Sequence, residues 1–418
     1  MSDAGRGPDA GTGPGKPDPA VGVPWDDDPR RWGMLALVSA GLLLGMGGWF
    51  TASAVAADFQ VQWALSTSQV GWLTTVVQLG FVAGTALAAV LNLADIVRAR
   101  WYFAGCALLA AGANALILVV PSYETALGAR FLTGFFYAGV YPPGMKMIAT
   151  WFRSARGLAI GTVVGALAMG KGTPYLLKAT GGTSALAVVG GASVAGLVAA
   201  ALVAGLYRDG PYPFARRPFS WRLVRDITRH RPTMLATGGY LGHMWELYAM
   251  WTWLPAYLAV AAAGQGGAGG VEWIMWGVLV AGGVGCVWGG WAADRIGRSE
   301  VVNLALGVSG ACCLLAGPLL GAPFWLVAPF VWVWGFFVVA DSAQFSAMVT
   351  EVAPSHAVGT ALTLQTSAGF LLTMASMQLV PVLVDGAGWG WAFGVLVVGP
   401  VAGLASIRAL GRVRGASR

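Results

Sequence analysis

Long apolar runs recur along this chain with only short polar stretches between them. They lie at about 33–57, 67–92, 101–120, 125–149, 157–178 and 184–207, then at about 233–260, 271–292, 301–320, 324–349, 358–381 and 389–410. A helix needs roughly 20 apolar residues to cross the hydrocarbon core of a bilayer, so each run is a candidate span. Runs this continuous predict helices rather than the short alternating strands of a barrel. Only 10% of the residues are charged and 57% are hydrophobic, whereas soluble domains carry about a quarter charged residues. That balance excludes a soluble enzyme, a disordered protein and a secreted disulfide scaffold.

The pattern is six runs, a polar Arg-rich stretch at 208–231, and six more runs. It predicts an all-α membrane protein of twelve transmembrane helices in two pseudo-symmetric six-helix bundles. The predicted divisions are a disordered tail (1–30), a first half (31–207), a basic linker (208–231), a second half (232–410) and a short tail (411–418). The first segment is rich in Gly, Pro, Asp and Ala and buries too little apolar area to fold. It has no apolar region before a cleavage site, so it does not read as a signal peptide.

With the N-terminus placed in the cytoplasm, every basic loop residue falls on the inner side. These are Arg6, Lys16, Arg30 and Arg31; Arg98 and Arg100; Lys146, Arg153 and Arg156; the arginines of the linker; Arg295 and Arg298; and the C-terminal arginines. No outer loop holds a basic residue. The positive-inside rule then predicts both termini in the cytoplasm, in a multi-pass plasma-membrane protein. The same rule accounts for the formal charge of +7 without nucleic acid. Cys106, Cys286, Cys312 and Cys313 lie in apolar runs without metal spacing.

The two halves also share motifs. Asp95 lies in LNLADIVRAR between the second and third runs, and Asp294 in GWAADRIGRS between the eighth and ninth. Paired six-helix halves are an internal-repeat signature of transporters. Gly290, Ala293, Asp294, Arg295, Gly297 and Arg298 resemble the G-x-L-A-D-R-x-G-R loop of the major facilitator superfamily. In the first copy Leu93, Ala94 and Asp95 match and Arg100 keeps a charge, while Leu91, Ile96 and Arg98 depart from the pattern. Arg130 and Gly134 resemble the family's R-x-x-x-G element. The strings GYLGHMWELYAMWTWLP, VVADSAQFSA and RGLAIGTVVGALAMGKGTP look like bacterial members loosely grouped with nitrate, nitrite and cyanate permeases. The asparagine of the nitrate permeases is missing from the fifth run, and Ala166 stands where drug-proton antiporters carry proline.

The resemblance, covering 33–410, implies two helical bundles about a cavity exposed alternately to each side. Physical chemistry gives the loop motif a reason: glycine permits a tight turn, and Asp294 and Asp95 can accept bonds from a neighbouring helix N-terminus. Arg295 and Arg298 are expected to pair with Asp294 across the seam between the halves.

An ionisable group deep in a bilayer is costly and normally faces a cavity or a partner. The acids inside the runs are Glu246 and Asp341, and the bases are Arg130, Lys171 and Lys178, with His243 beside them in sequence. Glu246 is about 20 Å along its helix from Thr233, three positions after His243, so the two are expected as neighbours that carry a proton or touch substrate. Asp341 and Gln344 share a helical face. Arg130 and Lys171 together would suit an anion, and the surrounding Gly170, Gly172 and Pro174 should break the helix at Lys171. Lys178, nearer the outer end, is expected to snorkel outward. Gln78, Tyr137, Tyr141, Thr363, Gln365 and Thr366 are further candidates for a polar lining, and Pro142 and Pro143 should kink the fourth run. For each residue, packing or hydrogen bonding between helices is the structural alternative.

The sequence carries no phosphate-binding loop, nucleophile elbow or zinc spacing, so no enzyme activity, cofactor or ATP use is expected. The function expected is secondary active transport of a small solute, with an anion favoured by the bases, by a monomer coupled to protons. Efflux of a hydrophobic or toxic compound, suggested by the Trp-rich seventh run, is the rival. A sensor that no longer transports is the more distant one.

Overall fold

The computed structural model describes residues 28–181, 184–212, 220–263, 265 and 270–416. The predicted tail up to residue 27, part of the linker with Arg216 and Arg217, and the side chain of Asp95 lie outside the described residues. Every regular element among the described residues is helical. The first half comprises α1 (Arg30–Gly45), a 3-10 turn (Gly47–Phe50), α2 (Thr51–Ala54), α3 (Ala56–Trp63), α4 (Thr67–Val90), α5 (Leu93–Ile96), α6 (Ala99–Leu116), α7 (Tyr123–Tyr137), α8 (Tyr141–Ala149), α9 (Arg156–Gly170), α10 (Thr173–Ala179) and α11 (Ala185–Leu206). The predicted basic linker is not all loop: α12 (Trp221–Arg229) lies in it, with Ile227 buried and its arginines outward. The second half comprises α13 (Arg231–Ala262), α14 (Val271–Ile296), α15 (Arg298–Leu319), α16 (Phe324–Ala340), α17 (Ser342–Val352), α18 (Val358–Ala387), α19 (Trp389–Ala392), a 3-10 turn (Gly394–Val397) and α20 (Val398–Ala416).

Eight helical stretches among the described residues are long and apolar enough to cross a membrane. The other predicted runs fall on α6, on α7 with α8, on α9 with α10, and on α13. Two of these four are divided, and their residues explain why. Pro142 and Pro143 sit in the first turn of α8 and Pro174 in the first turn of α10. Proline lacks an N–H and fits best in the first turn of a helix, although Pro255, Pro318, Pro329 and Pro381 lie inside α13, α15, α16 and α18 without dividing them. Elsewhere starts are sealed by side chains, as in the capping boxes of Ser66 with Gln69 and Ser122 with Thr125.

Helices α4, α6, α7 and α11 pack together on one side, and α13, α15, α16 and α20 on the other. The halves meet along two seams, α9–α10 against α14 and α4 against α18. Polarity is inside out. Arg130, Lys171, His243, Glu246 and Asp341 are buried, while Leu108, Leu186, Val194, Leu314 and Trp325 are exposed. Water would reverse that distribution, and hydrocarbon favours it.

Candidate substrate site and gates

Four helix breaks converge on one small cavity of about 50 Å³ between the halves. Met46 and Trp49 come from the end of α1 and the turn after it, Tyr141 from the start of α8, Lys171 from the α9–α10 break, and Ser342 from the break between α16 and α17. Unbroken α13 and α18 supply Tyr240, Tyr248, Trp251, Thr366 and Phe370. Breaks free backbone groups and bend side chains inward, which is how discontinuous helices build sites within bilayers.

Lys171 is the one charged residue in this wall. Its ammonium donates to the Tyr248 hydroxyl. It lies 4.5 Å from the ring centre of Trp49, 4.6 Å from that of Tyr248 and 5.2 Å from that of Trp251. Ring faces are negative and attract a cation, although less than a carboxylate would. No described carboxylate is within ion-pair distance of Lys171. The indole N–H groups of Trp49 and Trp251 are also buried without an acceptor. The wall thus offers a cation and unspent donors, with no acid.

Arg130 is elsewhere, against the expectation of a basic pair. It is fully buried but outside the cavity wall. Its guanidinium donates to Leu73 O at 3.1 Å, Gly48 O at 2.8 Å, Thr51 Oγ1 at 3.1 Å, Asn114 Oδ1 at 2.9 Å and Trp49 O at 2.6 Å. Two of these acceptors are carbonyls in the 3-10 turn after α1. The planar fork matches such a spread of acceptors. Asn114 completes the cluster by donating to Val189 O and Ser193 Oγ. Tyr137, also outside the cavity wall, stacks on Trp49 at 5.5 Å with an interplanar angle of 11°. Arg130, Asn114 and Tyr137 therefore hold Trp49 from behind. Asn114 was not singled out from sequence, where its only signal is a lone amide in an apolar run.

The expected partnership of His243 and Glu246 is corrected. His243 Nδ1 lies 2.9 Å from Asp341 Oδ1, both side chains buried, although the two are not aligned as a hydrogen bond. Glu246 accepts instead from Trp334 Nε1 at 2.6 Å and Ser309 Oγ at 2.9 Å. Trp334 and Ser309 carried no mark in the sequence beyond their polar atoms. Gln344 lies one turn from Asp341, its N–H donating to Asp341 O at 2.8 Å, and its side chain accepts from Arg298 Nη1 at 2.8 Å. Of the other polar candidates Tyr141 and Thr366 line the cavity, whereas Gln78, Thr363 and Gln365 do not.

The loop motif closes one end of the α9–α14 seam. Gly297 has φ +93°, a backbone region that favours glycine, and it turns the chain from α14 into α15. Asp294 faces the first turn of α9: a Cβ added to Gly157 would lie 2.9 Å from its Oδ2. Farther along, a Cβ at Gly161 would lie 2.8 Å from Cys286 O, and one at Gly165 2.6 Å from Gly283 O. A Cβ at Gly290 would sit 2.9 Å from Gly157 O. The expected pairing of Asp294 with the motif arginines is absent among the described residues. Arg295 lies 3.8 Å over the Trp291 ring, and Arg298 pairs with Glu351 at 2.6 Å. Arg98 and Arg100 have taken no part in this seam; the Arg100 guanidinium sits 4.7 Å over Trp101.

The other end of the same seam is closed by a pair missed in the sequence. Lys178 does not snorkel freely: it is 3.2 Å from Glu272, across the halves, and donates to Ala54 O at 2.9 Å. Along α4 and α18, Gln378 bonds Ser68 at 3.1 Å and Thr75 at 2.9 Å, and Trp253 Nε1 donates to Met377 O at 2.7 Å. The cavity is therefore walled at both ends.

A family model described as Major Facilitator Superfamily matches residues 37–266. A solved structure of a mutant of the nucleoside transporter NupG has a TM-score of 0.69 and 13% sequence identity, covering 91% of this chain and 99% of that one. That likeness is one of fold. No curated protein matches the sequence.

Proposed function

The chain belongs to the major facilitator superfamily, and from that membership we propose a proton-coupled secondary transporter that moves a small anion across the plasma membrane by alternating access. Its place among secondary transporters follows from the family. The reading as an anion carrier rests on Lys171, a buried cation in the wall of the inter-half cavity with no described carboxylate to neutralise it. An anion entering between the halves would supply that charge and replace weak ring contacts by a charge-assisted hydrogen bond.

We place the eight apolar stretches and the four remaining helical runs as twelve spans, with both termini cytoplasmic. Asp294 and Gly157 then close the inner end of the seam, and Lys178 and Glu272 the outer end. Opening either end exposes Lys171 to one side. The protomer is expected to act alone, since both halves of the cavity come from one chain.

Proton coupling is supported by Glu246 and Asp341, which are buried in helices facing the cavity from the second half. No described base lies within ion-pair distance of Glu246, so nothing but protonation is available to neutralise it. The test uses full-length protein in vesicles loaded with a pH-sensitive dye. Pooled small anions should trigger a pH change that Glu246→Gln reduces to the level of protein-free vesicles. Anion accumulation without any pH change would retire the proton role of Glu246. The aromatic walls of the cavity favour efflux of lipophilic compounds as a second reading. A pH response to a pool of lipophilic drugs and to none of the anions would replace the first reading by it.

A further inference from the structure

Resting on the reading of an anion site at Lys171, we propose that the substrate is a short-chain monocarboxylate no larger than propionate. Three observations converge. The first is charge. Lys171 is the one charged side chain in the wall, and the other bases within the spans of the first half are spent, buried Arg130 on carbonyls and half-buried Lys178 on Glu272. A single anionic charge is compensated there; a second would be buried without a partner at a cost of several kcal/mol.

The second observation is the kind of polar atom. The Lys171 ammonium and the unpartnered indole N–H groups of Trp49 and Trp251 can only donate. A carboxylate is all acceptor and matches them. A neutral sugar or base could give its protons to the hydroxyls of Tyr141, Tyr240, Ser342, Ser346 and Thr366, but it would leave the ammonium uncompensated. The third is size and surface. The cavity measures about 50 Å³, about a third of an apolar cavity known to hold benzene. Beyond the cation the walls are largely apolar, among them Val164, Leu167, Met244 and Val339. Such walls favour a small hydrocarbon tail over a second polar group.

The experiment measures the rise in unfolding temperature of the purified full-length protein at neutral pH, because a ligand stabilises the folded state according to its affinity. The probes are formate, acetate, propionate, benzoate, succinate, nitrate and phosphate as sodium salts. Uptake of labelled propionate into proteoliposomes is read against protein-free vesicles. Acetate and propionate should bind at least about tenfold more tightly than succinate, phosphate or benzoate. Lys171→Gln should abolish binding of all of them. Ala168→Val keeps the charge and shrinks the cavity; it should retain formate and weaken propionate about tenfold. That variant decides the matter if Lys171→Gln does not fold.

Succinate or phosphate binding as tightly as propionate would overturn the single-charge argument and leave the anion site standing. Benzoate binding as tightly would overturn the size argument in the same way. Nitrate binding more tightly than every carboxylate would overturn the apolar-tail argument. Stabilisation by none of these anions would sink both this proposal and the anion reading on which it rests.

Discussion

Lys171 and Arg130 are both buried bases of the first half, yet they are bound by opposite kinds of partner. Arg130 spends its donors on five acceptors, including carbonyls freed where α1 breaks. Removing it leaves several buried acceptors without donors, at about 1–3 kcal/mol for each group left unsatisfied. Arg130→Gln is therefore expected to lower the unfolding temperature and the yield of folded protein, and Arg130→Lys to rescue little, because one ammonium cannot span the fork. Lys171 makes one hydrogen bond and ring contacts, so Lys171→Gln should leave the stability of ligand-free protein within about 1 kcal/mol of the parent while abolishing anion transport. Thermal unfolding and vesicle uptake of both variants separate the roles; equal loss of fold in the two would refute the distinction. Both bases were legible in the sequence as buried and important. What divides them was not, because the acceptors of Arg130 come from four separate segments and only folding assembles them.

At the scale of the helix, the breaks around the cavity were unequally legible. Pro142, Pro143 and Pro174 announce two of them, and the glycines at 45, 47 and 48 accompany a third. Ala340-Asp341-Ser342 contains neither proline nor glycine, and the break between α16 and α17 had no local signal. The partner of His243 was missed for a related reason. Three residues turn a helix about 60° short of a full circle, so His243 and Glu246 address different neighbours, the α16–α17 break for one and α15 with α16 for the other. Close approach along the seam gives a further prediction. Gly165 has Gly283 O where its side chain would be, while Gly33 has nothing within 4 Å. Gly165→Leu should reduce transport at least about tenfold by holding α9 away from α14, whereas Gly33→Leu should retain parental uptake. Uptake by Gly165→Leu at the parental rate would show that the seam need not close in the cycle.

Over the whole molecule, an all-helical chain with helices long and apolar enough to cross a membrane was readable because bilayer thickness sets the length of each apolar run. The family resemblance was carried chiefly by Gly290 to Arg298, with Asp95, Arg130 and Gly134 in support. The pairing of Lys178 with Glu272 was not readable, since it joins residues from different halves. Both side chains are partly exposed, so their coupling should be at most about 1 kcal/mol. Glu272→Gln and Lys178→Gln are each expected to bias the protein towards opening at that end, seen as faster labelling of a cysteine introduced at Thr51. The exchange of Lys178→Glu with Glu272→Lys should bring the labelling rate back towards the parent. Failure of the exchange to recover any of it would mean that the charge pair does not hold that end.

Helix α14 runs unbroken from Val271 to Ile296 and carries Glu272 near one end and Asp294 near the other. A stiff rod held at two ends behaves as a rocker arm. A rigid tilt of α14 that lifted Glu272 from Lys178 would press Asp294 onto Gly157, and the reverse tilt would do the opposite. Opposite Leu279, close to the middle of the arm, lies Gly172, next to the one charge in the cavity. Leakage through both ends at once is thus discouraged by the mechanics of one continuous helix, with the passenger seated beside its fulcrum.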